Sequence, residues 1–177
     1  MEANKYGMII DGKMDEAQWA TAEEHTGFRS LATRGGQPVP VQTSFKILSF
    51  EDRIIVGIQC EEPELAAKKA AAAGGSTAYG GNSIEGFFSP SGSNYEFYQF
   101  VVNMNGGTYT QYYSEGGNIR PDPYKPDWTY GVYIGETDWS VEIEIPLTAF
   151  YWTGTARWSD TWMLNVTRSR PGAEASK

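Results

Sequence analysis

The chain has one cysteine and one histidine. Single Cys60 excludes an internal disulfide and any cysteine-based metal site, and with a lone His25 the usual transition-metal ligand sets are missing. Cys60 falls in the apolar run 54–60 and reads as a small core residue. No stretch approaches the roughly 18 apolar residues of a membrane span. Basic residues are in the minority, with 14 Lys+Arg against 22 Asp+Glu and a net charge of −8. That excess argues against a nucleic-acid or anionic-membrane partner and suits a neutral ligand or bound cations. The start, MEANKYGMII, has neither the basic end nor the apolar centre of a signal peptide, which taken alone points to the cytoplasm.

What is present favours strands and turns. Aromatics make up 14% of the 177 residues, with 20 glycines and 9 prolines. Length suits one domain over 1–177, with no repeat or linker dividing it. Residues 82–103 organise the chain, as GNSIEGFFSP and SNYEFYQFVVN form two strands joined by a Ser/Gly/Asn/Pro turn. Ile84, Gly86 and Phe88 share one face of the first strand, while Glu85 and Phe87 share the other. Both faces of the pair are largely apolar, which predicts central strands. Glu85 stands out there, because a carboxylate among strand apolars is costly without a partner.

Around this hairpin, a turn at Asp11–Gly12 precedes a short helical segment that Asp15 would cap, with Trp19 and Ala22 docking on the core. TSFKILSF and RIIVGIQCEE form a hairpin about 51–53, and ELAAKKAAAAGG is a helix with a Gly-Gly stop. TYTQYYSE follows as a strand and GGNIRPDPYKP as a loop. WTYGVYIGE and WSVEIEIPL pair next, Glu142 and Glu144 lying on a wet outer face of the second. TWMLNVTRSR is the last strand. Eight or nine short strands and one brief helix predict an all-β protein, an antiparallel β-sandwich. Its expected core includes Ile84, Phe88, Phe100, Val102, Ile143, Ile145, Leu164 and Val166.

In fixed order, IIDGKMDEAQW, CEEP, GNSIEGFFSP, YQFVVNMNGGTY, WSVEIEIPL and WMLNV resemble the family 9 carbohydrate-binding modules and the wider DOMON-like superfamily. The resemblance implies a β-sandwich with a sugar cleft, non-catalytic, attached to a secreted glycan-degrading enzyme and often holding structural calcium. It implies a saccharide or polysaccharide ligand, a catalytic domain in the same parent chain, and an extracellular or cell-surface setting, with the signal peptide absent from this chain. In the family an aromatic precedes an acidic-x-aliphatic-Glu segment; Tyr79, Asn82 and Glu85 fit that spacing, with Tyr for the commoner Trp and Asn for Asp. The cleft also draws on the strands matching YQFVVN and LNVTRSR, which adds Gln99, Asn103, Arg168 and Arg170.

Two departures qualify the match. Val101 stands where an Arg can contact sugar, and the second clamp aromatic belongs to a final segment beyond Pro171–Lys177, giving the expectation either of a module truncated at its C-terminal end or of one that has lost half its clamp. Arg168 or Arg170 is expected to orient Glu85. Calcium, if bound, would use Asp11, Asp15, Glu61 or Glu62 with turn carbonyls.

Competing readings are weaker. Glycoside hydrolysis needs two carboxyls facing across a bond, and neither Glu142 with Glu144 nor Glu85 with Glu96 supplies such a pair. Trp128 and Trp152 beside turn-rich loops serve as rim packing or platforms, while Trp19, Trp139 and Trp162 read as core. Haem binding through Met104 and His25, as in some DOMON-like relatives, is the rival, and a purely structural or interaction module is a third reading. Asn165-Val166-Thr167 spells a glycosylation acceptor but falls within a strand.

Overall fold

The computed structural model describes residues 2–32, 36–72, 78–79, 81–118, 124–150 and 159–171. Trp152 and the residues after Pro171 lie outside this set. The strands are β1 (Thr43–Ser49), β2 (Arg53–Glu61), β3 (Ser83–Ser89), β4 (Phe97–Asn103), β5 (Thr108–Tyr113), β6 (Thr129–Ile134), β7 (Asp138–Pro146) and β8 (Met163–Ser169), with helix α1 at Leu65–Ala72. They form two four-stranded sheets, in the orders β1-β2-β7-β6 and β5-β4-β3-β8. The fold is all-β with antiparallel pairing in both sheets, as the alternation predicts. β3 and β4 are the two central strands of their sheet, which explains why both faces are apolar.

The chain divides into two compact units. One comprises Met1–Lys69 with Thr129–Ile145, the other Ala70–Trp128 with Pro146–Lys177.

In the first unit, Met8, Ile10, Trp19 and Ile55 form a buried cluster with Tyr6, Met14, Ala22, Leu48 and Phe50 packed against it. The amino-terminal segment crosses β6 at backbone distance. A Cβ at Gly131 would stand 2.3 Å from the Ile10 carbonyl oxygen, and one at Gly12 would stand 2.5 Å from the Tyr133 nitrogen. Gly12 also has φ +91°, a left-handed value that glycine adopts without strain. The expected turn at Asp11–Gly12 is therefore fixed by a close approach as well as by sequence.

That crossing corrects the reading of β7. Glu142 is fully buried and Glu144 nearly so. Glu142 accepts the Trp19 indole N–H at 2.9 Å and the amides of Asp11 and Gly12 at 3.0 and 2.8 Å. Glu144 accepts from Asn4 Nδ2 at 3.3 Å and pairs with Arg53. Alternation in the strand correctly separates two faces, but donors from the amino-terminal segment cover the one expected to be wet. The 3-10 turn Ala17–Thr21 has Glu16, not Asp15, at its N-cap position, and no side chain caps it. Glu16 instead accepts the Ile9 amide at 2.8 Å.

In the second unit, Phe88, Phe100, Tyr98, Tyr124 and Phe150 form a mutually packed aromatic cluster. Buried hydroxyls end on carbonyls: Tyr98 donates to Phe150 O and Tyr124 to Ala149 O, both at 2.9 Å. Trp128 and Trp162 pack edge-on against Phe100 and Phe150. All the expected core residues are buried except Leu164, which is half-buried on β8, an edge strand.

Candidate functional site

Strand register sorts the side chains of the second unit's sheet. Ile84 pairs with Val102 and Arg168, whereas Glu85 pairs with Val101 and Thr167. Directly opposed residues share a face. The aromatic core therefore takes the Ile84 face, and the other face is built in rows across the strands. One row is Tyr109, Val101, Glu85 and Thr167; the next is Gln111, Gln99, Phe87 and Asn165; a third is Tyr113, Phe97, Ser89 and Met163.

Glu85, half-buried, accepts Gln99 Nε2 at 2.6 Å. Gln99 is itself buried, and its Oε1 accepts the Tyr113 hydroxyl at 2.7 Å. The carboxylate is thus held by a neutral amide, which is in turn oriented by a phenol. Tyr79 is 52% exposed, with its ring centroid 5.5 Å from that of Tyr109 at a tilt of 54°. Burial first, then the charge of Glu85, push the Tyr79 hydroxyl up to about 12, and Gln99 hydrogen-bonds to it. Tyr109 donates to Gln111 at 2.9 Å. The arrangement offers aromatic faces for the C–H side of a sugar and fixed oxygens for its hydroxyls.

Tyr79, Glu85 and Gln99, three of the residues that the family resemblance implies for the cleft, are thus brought together. Tyr109, Gln111 and Tyr113 join them from the strand segment TYTQYYSE. The signal was there: Tyr109, Gln111 and Tyr113 alternate, which puts all three on one face.

Other expected members go elsewhere. Arg168 stands on the Ile84 face, opposite to Glu85, so Gln99 takes the orienting role assigned to an arginine. Arg170 lies past the end of β8. Asn103 is fully buried, and its Oδ1 accepts the amides of Asn105 and Gly107 at 2.9 and 2.8 Å, which shapes the β4–β5 turn. Asn82 is buried beside the start of β3, its carbonyl accepting the Met104 amide at 2.9 Å.

The four acidic residues expected to hold calcium are placed as follows. Asp11 pairs with Lys13 at 3.2 Å and accepts the Lys13 amide. Asp15 is exposed. Glu61 accepts the Gln42 amide at 2.9 Å, and buried Glu62 accepts that of Glu64 at 3.2 Å. No group of three acidic, His or Cys side chains gathers among the described residues. Of the two residues considered for haem, His25 stacks on Phe45 at 4.9 Å, and Met104 is buried. No helix among the described residues is long and apolar enough to cross a membrane.

The fold is shared with carbohydrate-binding modules. A family 9 carbohydrate-binding module from Caldicellulosiruptor kristjanssonii in complex with cellotriose superposes with a TM-score of 0.63 and 15% identity, over 96% of this chain and 75% of that one. A family 9 module from the same organism in complex with glucose gives 0.60 at 15% identity, over 94% and 74%. A "putative carbohydrate-binding protein" from Bacteroides uniformis ATCC 8492 gives 0.62 at 18% identity, over 85% and 72%. No family model and no curated protein sequence matches the chain.

Proposed function

We propose that this protein binds a neutral saccharide without catalysis, at the face centred on Tyr79 and Glu85. The observation that carries the reading is a half-exposed tyrosine ring beside a carboxylate that a buried amide holds at 2.6 Å. The shared fold adds support, since two of the solved neighbours hold cellotriose and glucose. The resemblance extends the reading to an extracellular or cell-surface setting, beside a glycan-degrading catalytic domain in the same parent chain. Stacking contributes on the order of 1 kcal/mol beyond buried area, and a hydrogen bond to a charged group about 1.5–3 kcal/mol. A dissociation constant of about 0.1–1 mM is therefore expected.

Titration calorimetry against glucose, cellotriose and a glycan array tests the reading. Tyr79→Ala and Glu85→Gln should each weaken binding. No binding at about 10 mM sugar, or binding that survives both substitutions, defeats it.

A further inference from the structure

We infer that the first unit carries a second saccharide site, built from Tyr133, Asp138 and Gln59 on the face of the β1-β2-β7-β6 sheet that the amino-terminal segment crosses. It shares no residue with the Tyr79–Glu85 face; only the choice of sugar as ligand rests on the saccharide reading above. Alternation along β7 puts Asp138, Ser140, Glu142 and Glu144 on one side of the sheet. The amino-terminal segment covers the last three. Asn4 meets Glu144, the Trp19 indole and the Asp11 and Gly12 amides meet Glu142, and the Ser140 hydroxyl donates to Gly12 O. None of these partners reaches Asp138, which stays half-buried beside exposed Glu136 and Thr137.

Asp138 is held from within the sheet instead. Its Oδ2 accepts Gln59 Nε2 from β2 at 2.6 Å. Its Oδ1 reaches the other way, over β6: the Gly135 amide donates to Asp138 O at 3.0 Å, and a Cβ at Gly135 would collide with Asp138 Oδ1. Gly135 has no left-handed φ to account for it, so its missing side chain makes room for that oxygen. No donor meets Oδ1 among the described residues. Tyr133 lies two residues back along β6, pairs with Ser140 one row from Asp138, and is 43% exposed. The Lys13 ammonium stands over its ring, 5.9 Å from the centroid, which steadies the ring and sets a donor beside it.

These residues repeat the chemistry of the other sheet: a half-exposed tyrosine ring and a carboxylate that a glutamine amide holds at 2.6 Å. The ring face suits the C–H side of a pyranose, and fixed oxygen acceptors suit its hydroxyls. Gln99 is buried with both polar atoms bonded, whereas half-buried Gln59 spends only its nitrogen on the carboxylate. Gln59 Oε1 and Asp138 Oδ1 are therefore the acceptors left for a ligand.

Titrating the isotope-labelled chain with glucose and with cellotriose, and following its amide shifts by NMR, reads the two faces separately. Saturating shifts are expected at Gln59, Tyr133, Gly135 and Asp138, and as a distinct set about Tyr79, Glu85 and Gln99. Tyr133→Ala, at an exposed position, should weaken the first set roughly fivefold or more and leave the second unchanged, the range one stacking contact supplies. Asp138→Asn should also weaken the first set alone, and Tyr79→Ala the second alone. No response in the first set up to about 50 mM sugar, while the second saturates, overturns the inference and leaves the Tyr79–Glu85 reading standing. A first set that both Tyr133→Ala and Asp138→Asn leave unchanged overturns it too. So does one that Tyr79→Ala abolishes, since the response is then transmitted from the other face. Silence in both sets brings down the inference and the saccharide reading together. A response in the first set alone, lost in Tyr133→Ala, keeps the inference and removes the Tyr79–Glu85 site.

Discussion

Gln99 joins Glu85 to Tyr113, donating to the carboxylate at 2.6 Å and accepting the phenol at 2.7 Å. The amide is buried, so replacing it strands both neighbours. Gln99→Leu should lower unfolding free energy by about 1–3 kcal/mol, the penalty for a buried polar group left unpaired. It should also weaken saccharide binding, because Glu85 loses the contact that fixes its direction. Urea unfolding and calorimetry on the same preparation check both. A variant as stable as the parent would mean that water replaces the amide freely.

Glu142 makes stability depend on pH. Burial pushes its carboxyl up to about 7, outweighing the donors from Gly12, Trp19 and Asp11 that pull it down. A carboxyl that titrates higher in the folded state binds protons there more tightly than in the unfolded chain. Its contribution is therefore fully present below about pH 4.5 and is lost as pH rises through about 7. Glu142→Gln removes the titration but turns an amide N–H toward groups that are themselves donors. The parent should exceed this variant in stability at pH 5, with the gap shrinking by about 2–4 kcal/mol by pH 8. A gap that stays constant or widens contradicts the assignment.

Two apolar residues separate core from edge. Ile143 is 1% exposed on β7, and Ile143→Ala should cost about 2–5 kcal/mol. Leu164 is half-buried on edge strand β8, and Leu164→Ala should cost less than half as much. Chemical denaturation of the two variants ranks them, and the reverse order would reassign the core.

The sequence revealed the strands because alternation is a local property. Ile84/Glu85 and Val101/Val102 can be sorted into faces without any coordinates. What it could not reveal is which distant residue meets each face. Arg168 was expected beside Glu85, yet pairing with Ile84 puts it on the other side; a register offset of one residue decides the matter. Glu142 looked solvated because its donors, Asp11, Gly12 and Trp19, come from the far end of the chain. Alternation puts Tyr109 and Tyr113 on one face, but only the β4–β5 pairing sets that face beside Val101 and Phe97.

The first unit is discontinuous, and that has a consequence during synthesis. β1 and β2 emerge early, but β7, the neighbour that β2 needs on its other side, begins only at Asp138. At about 5–20 residues per second, the ribosome leaves the apolar run Ile54–Ile58 with one open hydrogen-bonding edge for several seconds. Such an edge pairs readily with other chains. Nascent chains halted between 70 and 128 should therefore be the species most dependent on a chaperone, and release should follow completion of β7.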